Sequence, residues 1–243
     1  MEAIHCIGDS HVSFFSGTDR LVPAWPERSV DRLPFFRTYR VGPALAWSLG
    51  HPGTTARGRE QTEEILRTAV PPGSPVLFLF GEIDCRYHLL KQAEKQGREV
   101  SELAGECAEA YSAAATVLAG EGRPVLFCSP PASTPENREG AEETFPTAGS
   151  GAKRNAATRA FNDRLRERCA ERKIPFVDFL DALVGPDGAT RMGLYRDPIH
   201  LSQRAMPLAL AALRRAWPDC DARLPFSYRA QLALSRLTGM KVR

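Results

Sequence analysis

A serine close to the N-terminus is the residue whose position most directly suggests chemistry. Ser10 lies in the segment Gly8-Asp9-Ser10-His11, which follows the short apolar run 3–7. Such a run predicts a buried strand, and the glycine predicts a turn at its end. In an open parallel sheet, ligands and reactive side chains collect at the carboxyl ends of the strands. Ser10 is therefore a candidate nucleophile. Serine is also a common turn residue, so the hypothesis requires a base elsewhere in the chain.

A histidine and an aspartate near the other end of the chain could activate that serine. Asp197 and His200 lie three positions apart, with Pro198 between them. A histidine can remove the proton of a serine hydroxyl because its pKa lies near neutrality. A carboxylate on the second ring nitrogen orients the imidazole and stabilises its cation. We therefore predict that Ser10, His200 and Asp197 act as nucleophile, base and orienting acid.

Two further blocks lie between these segments, each near the end of a predicted strand. The first is Gly42, and the second is the tetrapeptide 81–84, which reads Gly-Glu-Ile-Asp. The four blocks, in this order over residues 1–216, resemble those of the SGNH, or GDSL-like, hydrolase family. The resemblance implies a three-layer α/β/α sandwich with a flavodoxin-like five-stranded parallel sheet. It also implies that the backbone amides of Ser10 and Gly42 form an oxyanion hole.

The second inner block departs from the family pattern at one position. Ile83 stands where the family has an asparagine, so a side-chain donor to the oxyanion is missing. Losing one such donor typically costs about 2.7–4 kcal/mol of transition-state stabilisation. We expect another group to replace it, with Arg86 as the first candidate, unless Arg86 pairs with Glu82 or Asp84. The residues expected to line this part of the site are Gly81, Glu82, Ile83, Asp84 and Arg86.

The two residues that flank Ser10 allow a second interpretation. Asp9 and His11 resemble the opening of a metallophosphoesterase, in which both side chains bind a metal. Such a site needs several further ligands, and the sequence lacks the Gly-Asp-x-x-Asp and Gly-Asn-His blocks that would supply them. We therefore expect neither a metal nor another cofactor. We interpret Asp9 as a turn cap and His11 as a polar neighbour of the nucleophile, and expect both near the site.

The composition is that of a soluble globular protein. A net charge of +3 over 243 residues gives no reason to expect nucleic acid as a partner. No apolar stretch approaches the roughly 20 residues of a membrane span. Residues 1–11 do not follow the pattern of a signal peptide, so we expect a cytoplasmic location. The six cysteines follow no metal-binding spacing and are expected to be free thiols.

Strand-like and helix-like segments alternate along the chain, which favours a doubly wound parallel sheet. The predicted strands are residues 3–7, 35–41, 76–80, 125–128 and 174–179, and the predicted helices are residues 59–69, 100–119, 153–172 and 202–217. Residues 1–217 are expected to form the hydrolase-like domain. Residues 218–243 are expected to form an extension whose short helix packs on the domain or on a partner subunit, as in an oligomer. Residues 130–151 form either a mobile lid or an ordinary insertion.

The functional hypothesis is a serine esterase that hydrolyses a small O-acyl ester through an acyl-enzyme, with an O-acetylated carbohydrate as the first expectation. An O-acyltransferase would use the same three residues and pass the acyl group to another alcohol. A binding protein that has lost catalysis on the same fold is the third hypothesis, which the missing asparagine allows. The presence of Ser10, Asp197 and His200 together argues against this third hypothesis.

Overall fold

A five-stranded parallel sheet lies at the centre of the protein, of which the computed structural model describes residues 2–133 and 146–242. The strands are β1 (Ile4–Gly8), β2 (Phe36–Arg40), β3 (Val76–Leu79), β4 (Val125–Cys128) and β5 (Phe176–Val177). They are ordered β2-β1-β3-β4-β5, and every neighbouring pair is parallel. This order, with β1 between β2 and β3, is that of a flavodoxin-like doubly wound sheet. The predicted fold class is confirmed.

Helices cover both faces of the sheet. They are α1 (Gly58–Thr68), α2 (Leu89–Gln96), α3 (Val100–Ala119), α4 (Gly151–Arg172), α5 (Leu180–Leu183), α6 (Met206–Ala216) and α7 (Phe226–Thr238). Alternate strand residues point to opposite faces, so Leu77 and Leu79 pack in one core cluster with α6, while Val76 and Phe78 pack in the other with α1, α3 and α4. Within the described ranges, none of the helices is both long and apolar enough to cross a bilayer.

The register of the sheet brings the carboxyl ends of the three central strands to one edge. Gly8 at the end of β1 is paired with Arg40 of β2 and with Leu79 of β3. A side chain at Gly8 would place its Cβ only 2.2 Å from the Leu79 carbonyl oxygen, so this position requires glycine. Ser10 and Gly42, which follow β1 and β2 by two residues, therefore emerge side by side at the edge where ligands bind in such folds.

Two segments differ from the predicted elements. The predicted strand 174–179 is reduced to Phe176–Val177, and the Asp178 carboxylate accepts a hydrogen bond from the amide of Leu180 (3.0 Å), the first residue of α5. Residues 84–96, for which no helix is predicted, form a π-helical turn followed by α2. Of the segment 130–151, proposed as a lid or an insertion, residues 134–145 lie outside the described residues.

The C-terminal segment packs on the same domain that carries the sheet. Tyr228 of α7 is buried in the core cluster that contains α6, and its hydroxyl donates to the Gln203 side-chain oxygen. Near the chain end, the Val242 amide donates to the Asp19 carboxylate (2.7 Å), and its carbonyl accepts from the Asp19 amide (2.9 Å). Of the two arrangements considered for the extension, packing on the domain is therefore the one that this structure contains.

Candidate active site

Ser10 lies at the start of a short 3-10 helix, Ser10–Ser16, directly beyond β1. The Asp9 carboxylate caps this helix by accepting a hydrogen bond from the His11 amide (2.8 Å). Amides in the first turn of a helix have no intrahelical partner, so the Ser10 amide is placed where it can serve a ligand. Asp9 occupies the capping position that the sequence predicts for it.

The structure brings Ser10, His200 and Asp197 into one chain of hydrogen bonds. The Nε2 atom of His200 lies 2.9 Å from the Ser10 Oγ atom, although the two residues are 190 positions apart. The Nδ1 atom of His200 lies 2.8 Å from the Asp197 carboxylate. That carboxylate also accepts hydrogen bonds from the Ile199 and His200 amides at 3.0 and 2.8 Å. These backbone contacts fix the carboxylate in the geometry that orients the imidazole.

The electrostatics of this chain favour a neutral imidazole beside an ionised carboxylate. Burial alone would raise the pKa of Asp197, but the hydrogen bonds and the charge of His200 hold it below its usual range. Burial lowers the pKa of His200, and the Asp197 contact offsets only part of that effect. A neutral imidazole whose Nε2 atom faces a hydroxyl can accept its proton.

A second chain of ionisable groups is buried beside the first. His11 Nε2 lies 3.1 Å from the Glu82 carboxylate, which also accepts a hydrogen bond from Arg86 Nε (2.8 Å). The three residues are 3–4% exposed, and the His11 ring lies 5.0 Å from the His200 ring, centroid to centroid. Burial would raise the pKa of Glu82, but His11 and Arg86 lower it to about 2. Arg86 thus pairs with Glu82, which is the alternative considered for it above.

Burial is the dominant influence on the pKa of Asp9 and gives a testable pH dependence. It raises the pKa of this carboxyl to about 7, and the Oδ2 atom has no hydrogen-bond partner among the described residues. The unfolded chain releases the same proton near pH 4. Between about pH 4 and pH 7 the native state therefore binds more protons than the unfolded state, so stability falls as the pH rises.

We expect the Asp9→Asn variant to lack this component of the pH dependence. Relative to the variant, the wild type should lose about 2 kcal/mol of unfolding free energy between pH 5 and pH 7, at 1.36 kcal/mol per pKa unit. Urea unfolding of both proteins at the two pH values measures the difference. Asp163→Asn, at an exposed position on α4, is the control and should follow the wild type. Parallel behaviour of wild type and Asp9→Asn would contradict the raised pKa.

A cleft of about 680 Å³ opens over the hydroxyl of Ser10. His200, Gly42, Ile83 and Arg86 contribute to its wall, as the sequence predicts for them. Gly42 has a φ of +66°, a conformation that glycine adopts without strain. The wall also contains residues that sequence reasoning does not assign to the site, namely Leu21, Arg40, Leu45, Trp47 and Ile199.

Five residues that were expected to line the site instead lie buried beneath it. They are Asp9, His11, Gly81, Glu82 and Asp84. The Asp84 carboxylate accepts hydrogen bonds from the amides of Ala46 (2.8 Å) and Trp47 (3.3 Å), so it holds the loop that follows Gly42. Glu82 and Asp84 face inward on the helical turn after β3, whereas Ile83 of the same turn lines the cleft.

Residues 2–133 and 146–242 contain no cluster of side chains suited to bind a metal ion, and their cysteines are buried. No group of three or more His, Cys, Asp or Glu side chains in these ranges could hold a metal ion. Asp9 caps a turn and His11 contacts Glu82, so neither side chain is directed to a common ligand with the other. All six cysteines are buried free thiols, as expected. Cys85 follows the Gly81–Asp84 block, but burial raises its thiol pKa well above the usual value.

Fold and site together define a class: a doubly wound α/β protein in which a serine, a histidine and an aspartate meet at the carboxyl edge of the sheet. A model of the GDSL-like lipase/acylhydrolase family matches residues 6–206, which is most of the chain. The chain therefore belongs to this family, as the four sequence blocks indicate. No curated protein sequence matches the chain.

Several solved structures share the fold. A member of the lipolytic G-D-S-L family from Veillonella parvula is 17% identical, with a TM-score of 0.53, over 90% of this chain and 100% of its own. The lipase/acylhydrolase from Enterococcus faecalis is 17% identical, with a TM-score of 0.51, and the match covers 93% of this chain and 100% of the other. The aryl esterase of M. smegmatis is 19% identical, with a TM-score of 0.51, and the match covers 89% of this chain and 100% of the other. At these identities the similarity establishes the fold alone.

Proposed function

We propose that this protein is a serine esterase that cleaves a small O-acyl ester through an acyl-enzyme. The observation that carries the proposal is the hydrogen-bonded chain from Ser10 through His200 to Asp197 at the floor of an open cleft. Ser10 Oγ attacks the ester carbonyl while His200 takes the hydroxyl proton, and His200 then returns that proton to the departing alcohol. Water attacks the acyl-enzyme in the same way, with His200 as base, and releases the acid and free Ser10.

The oxyanion of each tetrahedral intermediate needs donors that are in place before the reaction. We assign this role to the backbone amides of Ser10 and Gly42, which follow neighbouring strand ends. Ile83 brings no donor. Although Arg86 pairs with Glu82 through Nε and donates from Nη1 to the Pro146 carbonyl, we retain it as the candidate for a third donor, because its side chain also lines the cleft. The ion pair with Glu82 would then position this guanidinium.

An O-acetylated carbohydrate is the substrate class that we favour. The cleft wall contains Trp47, whose side chain remains 45% exposed. It also contains the hydroxyl-bearing residues Thr54 and Thr55. An exposed aromatic face and hydroxyl groups suit a sugar, because they offer apolar area together with donors and acceptors. Transfer of the acyl group to another alcohol uses the same chemistry, so an assay with sugar acceptors beside water separates esterase from O-acyltransferase.

Labelling with a fluorophosphonate tests the nucleophile directly. We expect the wild type to form a stable adduct on Ser10 and Ser10→Ala to form none, because an alanine offers no oxygen to phosphonylate. Ser13→Ala is the matched control, since Ser13 lies on the same 3-10 helix but its hydroxyl accepts from the Val22 amide. It should be labelled like the wild type. A wild-type adduct that persists in Ser10→Ala, or a wild type that is not labelled, would contradict the proposal.

A further inference from the structure

The permanently charged side chains that line the cleft are cationic. They belong to Arg40 and Arg86, and no aspartate or glutamate of the described residues contributes to the wall. Carboxylates are not scarce in the chain, which has 29 Asp and Glu residues against 32 Lys and Arg. A cleft walled by one sign of charge attracts ligands of the opposite sign.

The two arginines of the cleft differ in whether a carboxylate neutralises their charge. Arg86 has a buried carboxylate partner in Glu82. The side chain of Arg40 donates, within residues 2–133 and 146–242, to the Val22 carbonyl alone, which accepts a hydrogen bond from its Nε atom at 2.6 Å. No carboxylate in the described part of the chain forms an ion pair with Arg40, and partial burial lowers the pKa of its guanidinium. A partly desolvated cation without a counter-ion carries an energetic cost that an anionic ligand would offset.

The sheet register places Arg40 near Ser10, the proposed nucleophile. It is the last residue of β2 and is paired in register with Gly8, two residues before Ser10. The hydrogen bond from Nε to the Val22 carbonyl orients the guanidinium group. No described residue bonds to its two terminal amino groups, so these can bind a ligand. A guanidinium binds a carboxylate or a phosphate through two parallel hydrogen bonds.

We propose that Arg40 binds an anionic group of the substrate, a carboxylate or a phosphate, while the ester carbonyl lies over Ser10. This inference rests on the proposed esterase function and narrows its substrate class to acidic esters. A site built around a partly desolvated charge discriminates against the analogue that lacks the opposite charge, because the cation is then left unpaired.

Pairs of esters with one anionic and one neutral member test this assignment. The first pair is 4-nitrophenyl succinate and its methyl ester, and the second is 4-acetoxybenzoate and its methyl ester. The third pair is 4-acetoxyphenyl phosphate and 4-methoxyphenyl acetate, and it tests whether the anion that Arg40 binds is a phosphate rather than a carboxylate. For at least one pair we expect Arg40→Gln to lower the charged-to-neutral ratio of kcat/KM by at least tenfold. The neutral member of each pair is the internal reference, because a loss of activity common to both members leaves the ratio unchanged.

Arg37→Gln is the matched control, because Arg37 lies on the same strand with its side chain exposed. It should leave every ratio unchanged. Ratios that are equal in wild type and Arg40→Gln would overturn the inference while the esterase function stands. A readout without catalysis is calorimetric titration of the Ser10→Ala protein with succinate, 4-hydroxybenzoate and inorganic phosphate. Binding that disappears in Ser10→Ala/Arg40→Gln supports the inference even if no ester is hydrolysed, and absence of binding of all three anions contradicts it.

Discussion

Asp197→Asn is expected to lower kcat/KM by about ten-thousand-fold in a protein that still folds. The wild-type carboxylate accepts from His200 Nδ1, so the proton sits on that nitrogen and Nε2 is free to accept from Ser10. An asparagine amide can present an N–H to Nδ1 instead. The imidazole proton then moves to Nε2, and the base faces Ser10 with a donor. Hydrolysis of a short-chain 4-nitrophenyl ester measures the rate, and urea unfolding measures the stability.

Asp187→Asn provides a matched control for that variant. The Asp187 carboxylate accepts a hydrogen bond from the Ala189 amide at 3.0 Å, as the Asp197 carboxylate does from the Ile199 amide. Both substitutions therefore alter the same kind of local turn, but only one alters the partner of His200. We expect Asp187→Asn to keep the wild-type rate. A loss of less than tenfold in Asp197→Asn would contradict the orienting role assigned to this carboxylate.

Glu82→Gln is expected to lower the free energy of unfolding by about 3–5 kcal/mol at pH 7. The substitution removes the negative charge that is shared by His11 and Arg86, both of which are buried. Removing one member of a buried ion pair is costly because the remaining charge is neither solvated nor paired. The measurement is urea unfolding of wild type and variant, with circular dichroism as the signal.

The Glu82 contribution should also depend on pH in a defined direction. The native pKa of about 2 lies below the unfolded value near 4.3, so the stabilisation is complete above that unfolded value and is lost as the pH falls toward 2. Glu106→Gln is the control. Glu106 contacts Arg98 at 2.5 Å, yet both side chains are largely in water. Such surface pairs contribute about 0–1 kcal/mol, so equal losses in the two variants would contradict the argument.

The parts of the site that the sequence predicts are those that follow strand ends. Apolar runs mark β1, β2 and β3, and the residues just beyond them must meet at one edge of a parallel sheet. Ser10 could therefore be placed from its position, whereas Gly42 was assigned to the site by the family resemblance. The local spacing of Asp197 and His200 likewise allowed their contact to be predicted, because three positions and one proline separate them.

The parts that the sequence does not predict depend on side-chain direction and on distant contacts. Glu82 and Asp84 follow a strand end like the other candidates, but the π-helical turn that directs them inward leaves no periodic signal. The contact between His11 and Glu82 spans 71 positions, so no local pattern reports it. Arg40 is one of many arginines in the sequence, and only the register of β2 against β1 places it beside Ser10.

The long separation between Ser10 and His200 has a consequence for a chain that is still being made. The turn that carries Ser10 is joined to the His200 region by Gln203, whose amide donates to Asp19 (2.7 Å) and whose side chain donates to the Phe14 carbonyl (2.8 Å). Until that region emerges from the ribosome and docks, Ser10 is an ordinary alcohol, because a serine without a base is a weak nucleophile. On the proposed mechanism, the order of synthesis therefore delays acylation of Ser10 until its base has docked.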